Sequence, residues 1–150
     1  MNATTVAEIL DRARRLESLV AEHCESLAER SADGNVRFLA AYLGRHYRRL
    51  AGILEAFSQE AYRRVCAVPI PYGPQATDFR RLLDVDLPAD ATSEEVLDTA
   101  MRMDKGLTRL YRQVLQQQVA AEVRELFECL VRFEQADEAE LQKLRAIGVA

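Results

Sequence analysis

No apolar run in this 150-residue chain approaches the roughly 20 residues needed to cross a bilayer. The first residues also lack the basic-then-apolar order of a secretion signal. The expectation is a cytoplasmic protein without membrane contact. Cysteine is scarce: Cys24, Cys66 and Cys129 make an odd count with no CxxC spacing. That argues against a disulfide framework and a structural zinc site, and leaves small core residues or free thiols. Histidine is scarcer, with only His23 and His46. Proline occurs only at Pro69, Pro71, Pro74 and Pro88, so every proline lies in one stretch. No catalytic triad, phosphate-binding glycine loop or nucleotide motif is present. Basic charge does not dominate either: net charge is −4, with ten Arg against nine acids in residues 1–67 and ten Lys or Arg against fifteen acids in residues 68–150. That balance gives nucleic-acid binding little support.

What the chain does have is an internal repeat at a fixed offset of 87 residues. Thr5, Glu8, Leu10, Asp11 and Ala13 recur as Thr92, Glu95, Leu97, Asp98 and Ala100; Val36, Arg37, Leu39, Leu43, Arg45 and Leu54 recur as Val123, Arg124, Leu126, Leu130, Arg132 and Leu141. With 49% hydrophobic and 29% charged residues, a chain of this length can form one domain over residues 1–150. Two helical hairpins that bury their apolar faces on each other are the simplest reading of the repeat. Each hairpin opens on a capping box, Thr5 with Glu8 and Thr92 with Glu95. The spacing predicts helices over 5–30 and 35–66, with a kink near Gly44 or Gly52 in the second. A crossover over 68–91 carries the prolines and a short helix near 77–83. Further helices follow over 92–117 and 121–147. Nothing in residues 116–121 is a strong helix breaker, but the repeat places 118–122 opposite the obvious turn at 31–35. The fold class is therefore all-α: a four-helix bundle with one long crossover, hairpins at about 5–67 and 92–147.

Each helix carries an apolar stripe at three-to-four spacing. Glu17 interrupts the first, Asp104 the third, and both Glu134 and Asp137 the fourth, while the second runs through Leu43, Tyr47, Leu50 and Leu54 without a charge. All four acids fall near mid-helix, aimed at one core. A buried unpaired carboxylate costs several kcal/mol, so such a group needs a metal, a basic partner or a retained proton.

The pattern resembles the ferritin-like, rubrerythrin-like superfamily, in which each hairpin brings a Glu on its first helix and an ExxH on its second to hold two metal ions. The resemblance spans nearly the whole chain and rests on residues 27–37, residues 122–130 and the place of the crossover. It implies a ferritin-like four-helix bundle. Carried over, the first Glu falls on Glu17 and the first ExxH on Tyr47-Arg48-Arg49-Leu50, which keeps neither ligand. The third-helix Glu falls on Asp104; the second ExxH keeps Glu134 but has Asp137 in place of its His. Small bacterial ferritin-like proteins with the form L-A-E-x-x-x-D-x-x-V-R and an incomplete metal site are the nearer likeness.

The reading this favours is a non-catalytic, metal-free structural or protein-interaction module that has lost a complete di-metal site. It would be a homodimer with a further protein partner of unknown identity. Its acids would share protons, receive hydrogen bonds from Tyr47 and Tyr111, or pair with Arg14, Arg102 or Arg132. A competing reading is a metal-binding oxidase or peroxide-handling protein with Glu17, Asp104, Glu134 and Asp137 as ligands. An all-oxygen donor set favours hard ions such as manganese, magnesium or calcium, and the family resemblance adds iron. A third reading has the Arg-rich second helix, Arg45 to Arg49 with Arg63 and Arg64, contact an anionic partner. His23 and His46 each precede a stripe residue and are expected at helix flanks, without a part in the metal site.

Overall fold

The computed structural model describes residues 4–84 and 86–148; residues 1–3, 85, 149 and 150 of the expected span lie outside the described residues. The elements are β1 (Thr4–Thr5), α1 (Val6–Arg30), α2 (Gly34–Ala56), β2 (Pro69–Ile70), α3 (Ala76–Leu82), α4 (Ser93–Leu115) and α5 (Ala121–Ala146). α1 packs on α2 and α4 on α5, as two hairpins joined by the stretch that holds β2 and α3. No helix among the described residues is long and apolar enough to cross a membrane.

The repeat has a physical basis at the hairpin ends. Thr5 Oγ1 accepts from the Glu8 backbone N–H at 3.2 Å while Glu8 Oε1 accepts from the Thr5 N–H at 3.3 Å. Thr92 and Glu95 do the same at 3.1 and 3.3 Å. The repeated arginines hold the turns. Arg37 Nη1 donates to the Ser31 and Ala32 carbonyls at 3.2 and 3.0 Å, and Arg124 Nη2 donates to those of Leu115 and Gln117 at 3.2 and 3.4 Å. These carbonyls lie at or just past the ends of α1 and α4, where the last helical C=O groups have no intrahelical donor. Asp33 caps α2, accepting from the backbone N–H groups of Asn35 and Val36. The start of α5 has no side-chain cap, so Arg124 is the main tie at that turn.

The second helix differs from the sequence reading. α2 runs unbroken through Gly44 and Gly52 and stops at Ala56, not near residue 66. Phe57–Ala61 then widens into a π-helical turn, and Arg63–Val65 tightens into a 3-10 turn. Glycine weakens a helix, but Gly44 lies packed against Glu25 and Ala21 of α1, and the exposed Gly52 alone does not break the helix. The crossover adds a two-residue antiparallel pairing, Thr4 with Ile70 and Thr5 with Pro69. The Val68 and Cys66 carbonyls there accept from the N–H groups of Val6 and Ala7 at 3.0 and 2.9 Å, two donors the first turn of α1 leaves free. At its far end Arg30 Nη2 donates to the Leu87 carbonyl at 2.9 Å. The crossover thus spans α1 from end to end, about 37 Å at 1.5 Å per residue.

Because Arg37 and Arg124 each bond two carbonyls, Arg124→Ala should cost about 1–2 kcal/mol, and Arg37→Ala less, since Asp33 still caps its hairpin. Urea unfolding would show this as a lower midpoint at an unchanged slope; two equal losses would mean that Arg124 is not the main tie at the turn between α4 and α5.

Candidate metal centre

The stripes converge as their spacing requires. Glu17 projects from α1 between Ala13 and Val20, Asp104 from α4 between Ala100 and Leu107, and Glu134 and Asp137 from successive turns of α5. All four are at most 4% exposed. One oxygen each from Asp104, Glu134 and Asp137 lies within 4.8 Å of the others, and Glu17 is hydrogen-bonded to Glu134. The structure therefore brings together all four acids expected at one site.

α2 contributes the donors. The Tyr47 hydroxyl, fully buried, donates to Asp104 Oδ1 at 3.2 Å. Leu50 lies beside Glu17 and Glu134 and forms, with Ile53, Leu54 and Phe133, the apolar wall of a cleft of about 10 Å³, room for about one water. The placement of His46 corrects the sequence reading: it is not a free flank residue. Its Nε2 is hydrogen-bonded to Asp137 Oδ1, and its ring stacks parallel to Tyr42 with centroids 6.3 Å apart. Arg49 Nη2 donates to Nδ1 of the same ring at 3.2 Å. A guanidinium has no acceptor, so Nδ1 receives and the ring proton sits on Nε2, facing Asp137. The sequence held only a spacing compatible with this, His46 standing three residues after Leu43 and four before Leu50, which does not distinguish a core-facing imidazole from a flank one. His23 has no hydrogen-bond partner among the described residues and lies half-buried on α1.

The expected basic partners do not arrive. Arg14 pairs with Asp11 at 2.7 Å, Arg102 reaches only Thr99, and Arg132 is exposed. Tyr111 is buried near Glu134 and Glu17, but its hydroxyl has no partner and does not donate to them. Each acid keeps one oxygen without a donor: Glu17 Oε2, Asp104 Oδ2, Glu134 Oε2 and Asp137 Oδ2.

Burial pushes the Glu17 carboxyl up to about 8; the hydrogen bond with Glu134 works the other way and the charges of Asp104 and Asp137 add to the rise. Asp104 and Glu134 are likewise raised, by burial first and then by the neighbouring acids. At Asp137 burial also acts upward, but hydrogen bonding from His46, Asp104 and Tyr47 outweighs it and holds the group below its ordinary value. One carboxylate charge is thus anchored by the imidazole, while the others hold or share protons. Among the thiols, burial pushes Cys24 up to about 12, an inert core group; Cys66 and Cys129 are half-buried and free.

No family model matches the chain, and no curated protein matches it. Among solved structures it is similar to a Thermotoga maritima protein, proposed to be a ferritin-like diiron-carboxylate protein, whose crystal structure was determined at 2.30 Å resolution. The likeness covers 97% of each chain at 22% identity, with a TM-score of 0.60. The chain has the ferritin-like fold.

The raised Glu17 carboxyl sets a pH dependence. Folded, it ionises near 8; unfolded, near 4.5. Its proton-bound form therefore adds stability that is complete below about 4.5 and is lost as pH rises through 8, an effect on the order of a few kcal/mol. Asp137 has the opposite sign, its contribution disappearing as pH falls below its lowered value. Metal-free protein should melt at progressively lower temperature from pH 5 to pH 8.5, and Glu17→Gln should flatten that slope and melt higher than the parent at pH 8.5. A parallel slope in the variant would remove Glu17 as its source.

Proposed function

We propose that the buried acids form a divalent-cation site, with Asp104, Glu134 and Asp137 as ligands and Glu17 as a fourth acid on its open side. The observation that carries this is the mutual approach of one oxygen each from Asp104, Glu134 and Asp137 to within 4.8 Å, in a core where each of the four acids keeps an oxygen without a donor and, among the described residues, none forms an ion pair with Lys or Arg. Desolvating such groups costs several kcal/mol each unless an opposite charge or a full hydrogen-bond set compensates. A cation supplies that compensation. The proposed diiron-carboxylate character of the Thermotoga maritima protein agrees with it. The all-oxygen donor set suits manganese, the likeness to a proposed diiron-carboxylate protein adds iron, and either ion would supply one-electron chemistry toward oxygen or peroxide. This chain's residues do the rest: Tyr47 holds Asp104, and His46, oriented by Arg49, holds Asp137. The cleft wall at Leu50 limits the space beside Glu17 to about one water. With Leu50 and Tyr47 where an ExxH pair would stand, we read the site as reduced to a single ion.

A second reading keeps the bundle metal-free and non-catalytic, a structural or interaction module. Its support is the hydrogen-bond chain from Tyr47 to Asp104 and on through Glu134 to Glu17, which lets retained protons take the place of an ion. Homodimer formation and a cytoplasmic location fit either reading.

Elemental analysis of protein purified without chelator, followed by melting with added manganese(II) or iron(II), separates the two. A metal site gives about one ion per chain. At a hundredfold excess over Kd it gives about 2.7 kcal/mol of stabilisation, which for this size of chain is about 5–10 °C. Glu134→Gln and Asp137→Asn should abolish that rise, and His46→Gln should weaken binding about 10- to 100-fold. No bound metal together with no metal-dependent melting would leave the metal-free module.

A further inference from the structure

Two arginines of the Arg-rich stretch of α2 are already engaged. Arg48 grips Glu25 through both Nε and Nη2, at 3.1 and 2.8 Å, and Arg49 bonds His46. Three cations without a carboxylate partner line up on α4. That helix buries most of its length, including Met101, Asp104, Leu107 and Tyr111, and exposes a narrow ribbon. Toward its C-terminal end the ribbon reads Lys105, Arg109 and Arg112, at i, i+4 and i+7. Among the described residues none of the three is within 4.0 Å of a carboxylate oxygen. They border a groove of about 550 Å³ between α4 and α5, joined by Gln113 of α4 and by Gln135 and Glu138 of α5.

Helix capping does not explain this ribbon. The helix dipole favours cations only in the last turn, which holds Arg112, whereas Lys105 lies ten residues before the end of α4. Like charges at i, i+4 spacing also repel and weaken the helix that carries them. The adjoining groove toward the start of α4 differs: there Arg145 is bound to Glu94 and Asp98, and acids balance the cations.

We infer that the Lys105–Arg109–Arg112 groove binds a small polyanion carrying two or more phosphoryl groups. The three cations span about 10 Å along the helix, the reach of a di- or triphosphate. Guanidinium forks pair with phosphoryl oxygens through two parallel hydrogen bonds, and the Gln113 and Gln135 amides add neutral donors. Glu138 is the one acid lining the groove and opposes the ligand. The groove is separate from the carboxylate cluster, so it stands or falls independently of metal binding.

Isothermal titration with tripolyphosphate and with ADP, without added divalent ions, tests this. One saturable site per chain is expected, weaker at 200 mM than at 50 mM salt. Arg109→Ala with Arg112→Ala should weaken it at least about tenfold, while Glu138→Gln should tighten it. Arg63→Ala with Arg64→Ala, exposed arginines away from the groove, should leave it unchanged. Tighter ADP would assign a nucleotide source and tighter tripolyphosphate a free phosphate chain, and both support the groove. Absence of saturable binding at millimolar concentration, or equal affinity in the α4 double variant, would overturn it.

Discussion

The cost of holding four carboxyl groups away from water governs this bundle. Apolar layers lie on either side of them, Leu27, Leu97 and Val96 toward one end and Leu10, Val114 and Phe127 toward the other, all nearly inaccessible to solvent. These layers stabilise the fold by ordinary burial, and they also deny the acids hydration. Arg49, the arginine that approaches the cluster, does so from outside, through an imidazole. The middle of the core must therefore be compensated from within by hydroxyl and imidazole donors, shared protons or a cation. Every unusual feature of the site follows from that requirement: the raised carboxyls, the anchored Asp137, and the oxygens that lack a donor.

The repeat shows where the two halves are alike and where they part. Turn chemistry is kept in duplicate: the capping boxes, and the two arginines that close the hairpins. The mid-core positions diverge in a complementary manner. At the 87-residue offset Glu17 faces Asp104 in the scheme, but Tyr47 corresponds to Glu134, Leu50 to Asp137, and His46 to Phe133. One second helix supplies donors and an apolar wall, and the other supplies acceptors. A symmetric duplicate of the α5 pair would have placed two further carboxylates in the same core, with no base to meet them.

Most of the architecture could be read from the residues because its causes are local. Capping boxes, the proline-rich crossover and the 87-residue register place α1, α3, α4 and α5 within a few residues of their observed ends. The end of α2 was not legible. The change to a π-helical turn at Phe57 coincides with contacts to Tyr62 and to Phe133 of α5, the second of which lies beyond any sequence window. The four acids were legible because a charge on an apolar stripe is a local anomaly. His46 carries no such anomaly, since an imidazole beside a stripe residue suits a flank as well as a core. Its role depends on α5 bringing Asp137 within reach, a tertiary fact. The expected arginine partners failed for a related reason: Arg14 meets Asp11 on its own helix, and a local partner within one turn prevails over a distant one that would have to be desolvated.

The unequal pair His46 and Phe133 gives the cluster two different approaches. On one side the path from solvent runs through Arg49, His46 and Asp137, a chain of hydrogen-bonded polar groups. On the other, Phe133 sits half-exposed at the rim of a cleft whose wall is Leu50, Ile53 and Leu54 and whose floor is Glu17 and Glu134. Charge crosses the first side more easily, because each step offers a hydrogen-bonding group in place of water. The second side penalises ions and admits only a small neutral molecule, given room for about one water. Leu50 therefore makes one face of the carboxylate cluster apolar, while the His46 side leaves the opposite face polar.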